Sequence, residues 1–330
     1  MLLVYSSPVF TLDGHIEYSE RNGSHIAFPD VVNFCDHEVL AFREALTHAA
    51  DKGLVRLILD PIESSKVLTF EDNNYDLRNP YFHQNSLGLF LYITIFDYGN
   101  HEFVGTREFQ IFDSKCNLDI KKTLEFDHII YAPRNSSLAS YSKSTNNILS
   151  LVDQKVFATA PNLGVKTRVF DEEISFFKDI DSDSVYGVGR NQKDTGKPLL
   201  IYELKNDSKL IYKFWCGSLY DSALVSPKVY IDESAYYVSY SSRRLINDEG
   251  AYSSKNQLGI HWMSFQSQSA LLNCNPSYSY GLYFKGDIDG GYQAYNEATD
   301  RLFFYARLYN NEEFNIYYIN DFLGKLKESQ

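Results

Sequence analysis

Val31-Val32-Asn33-Phe34-Cys35-Asp36-His37-Glu38-Val39-Leu40-Ala41-Phe42-Arg43 decides how the chain folds, because its pattern returns along the sequence. An apolar stretch leads into an acidic or amide-rich turn, and a Leu/Tyr/Phe/Val strand follows that often ends in arginine. The pattern recurs from Ile174 to Arg190, with Asp179, Asp181 and Asp183 in its turn, and from Pro227 to Arg243 around Asp232. It returns from Gly291 to Arg307 around Asn296 and Asp300, and in looser form from Asn79 to Phe96. Hairpins repeated at this spacing predict an all-β chain of radial design, with functional groups gathered around a central funnel. The gap from Asn79 to Ile174 is about twice that from Val31 to Asn79, which leaves room for one unrecognised repeat. One sheet per roughly 50 residues predicts a six-bladed β-propeller, with five blades and long insertions as the alternative.

Bulk composition agrees. All-β domains of more than 200 residues are common, and nothing resembling a linker divides the 330 residues, so residues 1–330 are expected to form a single domain. The chain has 26 tyrosines and 23 phenylalanines but only two tryptophans. That excess suits wide, half-wetted sheets and equally suits a binding surface. Strands are expected at Val55–Leu59, Gly88–Phe96, Lys155–Ala160, Leu199–Leu204, Leu210–Phe214, Ala235–Tyr240, Arg301–Leu308 and Phe314–Ile319. Helical periodicity competes with strand only in short pieces, notably Glu38 to Ala49. Residues 134–147 read as a surface excursion and the tail after Leu323 as frayed.

The net charge of −12, from 43 acidic and 31 basic residues, disfavours a nucleic-acid partner, since the longest basic cluster is Arg243-Arg244. Cys35, Cys116, Cys216 and Cys274 are widely separated, with no C-x-x-C pair, so no structural zinc is expected. They allow two disulfides, but free thiols are the simpler expectation. The opening Met1-Leu2-Leu3-Val4-Tyr5 lacks the basic region of a signal peptide, which makes the cytoplasm the default location. Asn22, Asn135 and Asn206 occupy glycosylation sequons that matter only in a secreted chain. No run is long and apolar enough for a membrane helix. Neither a P-loop nor a Gly-x-Gly-x-x-Gly segment follows a strand, so no nucleotide cofactor is expected, and no metal.

Polar residues that cluster at the start of the repeats are the candidates for chemistry. They include Asp30, Asp76, Arg78 and Asp287 near the first strand of a repeat, with Arg43, His48 and Asp51 following the first hairpin. Several of these segments resemble the sialidase-like (neuraminidase-like) propeller proteins. Ala27-Phe28-Pro29-Asp30-Val31-Val32 followed by Arg43-Glu44-Ala45-Leu46-Thr47-His48 is similar to the opening of that family. Tyr75-Asp76-Leu77-Arg78-Asn79-Pro80 resembles its Asp-x-Arg-Asp-Pro segment, and Asp287 to Tyr292 its Gly-Asp-x-x-Tyr-Pro. The family's Ser-x-Asp-x-Gly-x-x-Trp signature is absent.

The resemblance implies an all-β, six-bladed β-propeller of sialidase type that cleaves a terminal sugar. It implies an arginine clamp for a sugar carboxylate, a tyrosine nucleophile assisted by a glutamate, and an aspartate acid/base. By position, Tyr292 is the implied nucleophile, Glu173 (or its neighbour Glu172) its assistant, and Asp51 the acid/base. Arg190 and Arg243 are the implied clamp arginines, and Asp30, Arg43, His48, Asp76, Arg78 and Asp287 the substrate-binding set. Ala27 stands where the first clamp arginine belongs, and Asn79 replaces the second acid of the Asp-x-Arg-Asp-Pro segment. A neutral sugar would instead call on paired carboxylates drawn from Asp30, Asp51, Asp76 and Asp287. The partner implied is a glycan or small carbohydrate. A carbohydrate-binding propeller without catalysis, and a protein-interaction scaffold, are the competing functions.

Overall fold

The computed structural model describes residues 12–17, 25–47, 52–63, 66–127, 147–149, 156–159, 174–179, 184–189, 199–204, 210–214, 222–232, 235–245, 252–283, 292–307 and 314–328. The first strands are β1 (Gly14–His15), β2 (His25–Phe34), β3 (His37–Ala45), β4 (Leu54–Leu59) and β5 (Lys66–Phe70). Next come β6 (Asp76–Asn85), β7 (Gly88–Asp97), β8 (Glu102–Asp113) and β9 (Leu118–Phe126). Then β10 (Asn147–Leu149), β11 (Val156–Thr159), β12 (Ile174–Lys178), β13 (Val185–Gly189), β14 (Leu200–Leu204) and β15 (Leu210–Phe214) follow. The series continues with β16 (Ser222–Asp232), β17 (Ala235–Leu245), β18 (Tyr252–Phe265) and β19 (Tyr278–Tyr283). It ends with β20 (Gln293–Asn296), β21 (Arg301–Arg307) and β22 (Phe314–Asn320). Helices are α1 (Gln268–Leu272) and α2 (Phe322–Glu328).

The strands form antiparallel sheets of four, in the orders β2-β3-β4-β5, β6-β7-β8-β9, β12-β13-β14-β15, β16-β17-β18-β19 and β20-β21-β22-β1, with β10-β11 as a two-stranded pair. Each repeat recognised in the sequence is therefore the first hairpin of a four-stranded sheet. The pair β10-β11 falls in the long interval where an extra repeat had room. The chain divides into two compact units: Pro8–Arg134 with Asp289–Gln330, and Met1–Ser7 with Asn135–Ile288.

In the first of these units, β1 pairs with β22, so a strand from near the chain's start completes the sheet built at its end. The sheet β2–β5 is covered on both faces. Val39, Ala41, Val55 and Leu57 pack with Leu77, Phe82, Leu91 and Ile93 of the next sheet. Leu40, Phe42 and Ile58 pack on the opposite side with Ala294, Phe303, Tyr305 and Ile316. A strand buried on both faces reads as a continuous apolar run. That is why Glu38–Ala49 resembled a helix although its residues 38–45 lie in β3. The tail after Leu323 is helical through Glu328 rather than frayed. In α2, Phe322, Leu323 and Leu326 are buried, and Asp300 accepts hydrogen bonds from the backbone N–H of Leu323 (2.7 Å) and Gly324 (3.1 Å).

A shared irregularity marks three of the opening strands. Between Ala27 and Asp30, Arg78 and Tyr81, and Val225 and Lys228, the register shifts so that two residues face one on the partner strand. The second residue of each bulge is proline: Pro29, Pro80 and Pro227. Proline cannot donate to a ladder hydrogen bond and is tolerated inside sheets where pairing lapses. Before Pro29 and Pro80, Phe28 and Asn79 adopt the left-handed region, at φ 55° and 45°.

The thiol expectation is corrected. Cys35 is disulfide-bonded to Cys116, and Cys274 is also in a disulfide. Cys35 and Asp36 both have positive φ, the two-residue turn that matches strand twist in a hairpin. Cys116 lies in the β8–β9 turn, which Asp113 organises through the N–H groups of Lys115 and Asn117.

In the other unit, β12–β15 and β16–β19 share a core containing Phe177, Tyr186, Val188, Ile201, Tyr236, Val238, Met263 and Phe265. His261 is buried and stacked on Tyr240, with ring centroids 5.0 Å apart. Burial depresses its pKa to about 4. The folded state thus refuses a proton that the unfolded chain accepts below its ordinary pKa near 6.5. Stability is complete above that value and falls as the pH drops toward 4, by about 2–3 kcal/mol. Urea midpoints measured across this range should fall for wild type and stay flatter for His261→Phe; equal slopes would refute the assignment.

Candidate active site

Asp76 and Arg78, two residues apart, place a charged pair at the beginning of β6, just ahead of the bulge that contains Asn79. The loop before it is shaped by Asp72, which accepts from the backbone N–H of Asn74 (2.8 Å) and Tyr75 (3.2 Å) and from the Arg107 guanidinium. Burial pushes the Asp72 carboxyl up, but these hydrogen bonds outweigh it and hold its pKa below the usual range.

Asp76 is fully buried, and its two oxygens are shared among three donors. Oδ1 accepts from Arg43 Nε at 2.9 Å and from the backbone N–H of Gly53 at 2.8 Å; Oδ2 accepts from Arg78 Nε. Arg43 is 1% exposed, whereas the Arg78 side chain keeps 15% of its surface in solvent. Arg78 Nη2 donates to the Tyr98 hydroxyl, and the guanidinium lies 4.5 Å from the Phe96 ring centroid and 5.2 Å from that of Tyr98. Burial dominates at Tyr98 and holds its pKa above that of an ordinary phenol, despite the opposing Arg78 charge, so the hydroxyl stays neutral. Arg78 is the member of the cluster that reaches the surface. Its Nη1 has no hydrogen-bond partner among the described residues.

Gly53 closes the cluster from the β3–β4 side. Its N–H meets Asp76, and its carbonyl accepts from Leu77 N at 3.0 Å. A Cβ here would sit 2.3 Å from Asp76 Oδ1 and 2.5 Å from Arg43 Nε. Gly53→Ala is therefore expected to cost about 1–3 kcal/mol by overpacking. A urea melt checks it, and an unchanged midpoint would mean that the cluster yields freely.

The implied site residues fare differently. Arg43, Asp76 and Arg78 meet directly. Asp30 is buried in the same unit, where its carboxylate accepts from the backbone N–H of Phe82 at 2.9 Å and so clips β2 to β6. Tyr292 is 3% exposed; its carbonyl accepts from Tyr305 N, and its ring packs 4.5 Å from that of Phe28. Arg243 lies on β17 opposite Ala223 and Gln257. Asp51, His48, Glu172, Glu173, Arg190, Asp287 and the side chain of Arg243 lie outside the described residues. Among the described residues a tyrosine does donate to a glutamate, Tyr92 to Glu108, but both are buried. Burial first, then Glu108, raises the Tyr92 pKa far above that of an available nucleophile. Gly53, Phe96 and Tyr98 were not singled out by sequence. Gly53 carried no motif that marked it, and the two aromatics had no local feature setting them apart from many others.

No family model matches the chain, and no curated protein matches it in sequence. Solved structures do match. A Trypanosoma rangeli sialidase structure superposes with a TM-score of 0.56 at 10% identity, covering 99% of this chain and 61% of that one. A complex of Trypanosoma rangeli sialidase with 2,3-difluorosialic acid, a covalent intermediate, gives 0.55 at 10% identity, with 98% and 59% covered. The fold is sialidase-like. A structure described as a glycoside hydrolase gives 0.52 at 8% identity, covering 94% of this chain and 92% of that one. The chain spans about three fifths of the length of the Trypanosoma rangeli sialidase structures. Within this sialidase-like fold, the Arg43–Asp76–Arg78 cluster joins β3 to β6, the opening strand of the neighbouring sheet. Among the described residues no group of three His, Cys, Asp or Glu side chains is arranged to hold a metal, and no helix is long and apolar enough to cross a membrane.

Proposed function

We propose that this protein is a glycoside hydrolase that folds as one six-bladed propeller and takes a terminal sugar beside the Arg43–Asp76–Arg78 cluster. The observation that carries the reading is the cluster itself. Burying Arg43 and Asp76 together, with Arg78 part-buried beside them, is costly for a sheet that apolar residues could hold together, so the charges point to a role beyond packing. Arg78 adds an outward donor flanked by aromatic rings, a combination suited to a sugar hydroxyl or carboxylate. Asp51 is the proposed acid/base, two residues before Gly53. In the sialidase form of the reaction, Tyr292 would attack with help from Glu173. Arg190, Arg243, His48, Asp30 and Asp287 would complete the sugar-binding set.

Hydrolysis of aryl glycosides, including an N-acetylneuraminate conjugate, tests this with wild type, Tyr292→Phe and Asp51→Ala. Loss of sialoside turnover in both variants is the result expected of the tyrosine mechanism. Turnover of neutral glycosides alone, indifferent to Tyr292→Phe, would point to paired carboxylates.

A second reading, a carbohydrate-binding protein without catalysis, is favoured by the burial of Tyr292 against Phe28. Glycan binding without turnover on any substrate would select it. The Cys35–Cys116 disulfide supports residence in an oxidising compartment rather than the cytoplasm, and there the sequons at Asn22, Asn135 and Asn206 would become relevant.

A further inference from the structure

We propose that the sugar taken by this site is neutral, and that Phe28 is the surface on which its apolar face stacks, with Asn79 accepting a hydroxyl; this rests on the glycan-binding reading above. Phe28 is the first observation. A bulky side chain at φ 55° is strained, and glycine or asparagine would relieve it. Such conformations persist where surrounding structure imposes them, and they gather at ligand sites. Here the imposing structure is the β2 bulge, Pro29 and the Tyr292 ring underneath, while the Phe28 side chain itself remains only half-buried.

The second observation is independent. Asn79 occupies the matching position of the β6 bulge, at φ 45°, and is 4% exposed. Among the described residues no donor reaches its buried Oδ1, a condition that calls for a donor from outside them. The Asp30 carboxylate on Phe82 N ties the two bulged strands together, so the aromatic face and the orphan acceptor belong to adjoining strands.

Charge decides between sugar classes. Ala27 is wholly buried and offers no donor, and the Arg43 and Arg78 Nε groups are held by Asp76. The chain's net charge of −12 opposes the approach of an anionic glycan. Among the described residues, these strands offer the Phe28 ring, one acceptor at Asn79 and one donor at Arg78 Nη1, which together match the C–H face and two hydroxyls of an uncharged pyranose.

Calorimetric titration of the full chain with neutral methyl pyranosides and their oligosaccharides, and with an N-acetylneuraminyl conjugate, tests the proposal. Wild type should bind a neutral sugar at least tenfold more tightly than the sialyl conjugate. Phe28→Leu, which keeps apolar volume against Tyr292, should weaken that binding about tenfold or more. Phe28→Tyr, which keeps the ring, should restore it, and thermal melts confirm that both variants fold. Preference for the sialyl conjugate, or neutral-sugar binding unchanged in Phe28→Leu, would overturn the proposal and leave the glycan reading standing. Absence of binding to every sugar would overturn both.

Discussion

Asp76→Ala is expected to lower stability by about 3–5 kcal/mol, because it strips two arginines of the carboxylate that neutralises them. Arg43 is the reason the effect is large. It is 1% exposed and cannot turn toward water when this carboxylate disappears. The backbone N–H of Gly53 loses its acceptor at the same time, adding an unsatisfied buried donor. Asp76→Asn should be almost as damaging, since it retains the shape but presents no net negative charge. Arg78→Ala should cost less, because its side chain is partly solvated, yet it should weaken sugar binding by removing the outward donor. Urea unfolding at constant slope measures the stability losses, and titration with a sugar ligand measures the binding loss. Replacing all three groups together by apolar residues separates the two roles. A fold of near wild-type stability that no longer binds sugar would mark the cluster as functional; intact sugar binding would reduce it to a structural staple.

The second large effect belongs to the Cys35–Cys116 disulfide. It closes a sequence separation of 81 residues, for which the chain-entropy relation predicts a stabilisation of about 4.5 kcal/mol. The bridge joins the β2–β3 turn to the β8–β9 turn, so cutting it frees the sheet β6–β9 from its neighbour at that end in the unfolded ensemble. Phe34, His37 and Phe112 pack at the native junction, with Phe34 5.7 Å and His37 5.6 Å from the Phe112 ring centroid. Those contacts should let the Cys35→Ala/Cys116→Ala variant fold, but with a much lower urea midpoint than the oxidised protein. Reductant should bring wild type at least as low, because it also cuts the disulfide that includes Cys274. A midpoint indifferent to reductant would show that the bridge adds nothing.

Much of the architecture was legible in the residues. Recurrent hairpins identified the first two strands of each four-stranded sheet, and the strands expected at Val55–Leu59, Gly88–Phe96, Leu199–Leu204, Leu210–Phe214 and Phe314–Ile319 match β4, β7, β14, β15 and β22 closely. Arg43, Asp76 and Arg78 could be named together because their segments resemble one family's opening strands. Glu38–Ala49 could not be resolved, because local periodicity loses meaning in a strand covered on both faces. The docked tail was hidden for a different reason. Phe322, Leu323 and Leu326 form too short a pattern to predict a helix, and the Asp300 that caps it arrives from the β20–β21 turn.

What the sequence determined by itself was therefore whatever depends on neighbours a few residues apart: the recurring hairpins, the acidic or amide chemistry of their turns, and an acidic charge unsuited to nucleic acid. Only the tertiary structure decided the disulfide, the strain at Phe28 and the orphan acceptor of Asn79. It alone revealed that Gly53 leaves room for the meeting of Arg43 and Asp76. These depend on pairs brought together across dozens of residues by sheet packing, and local propensity carries no record of distances that only the closed core imposes.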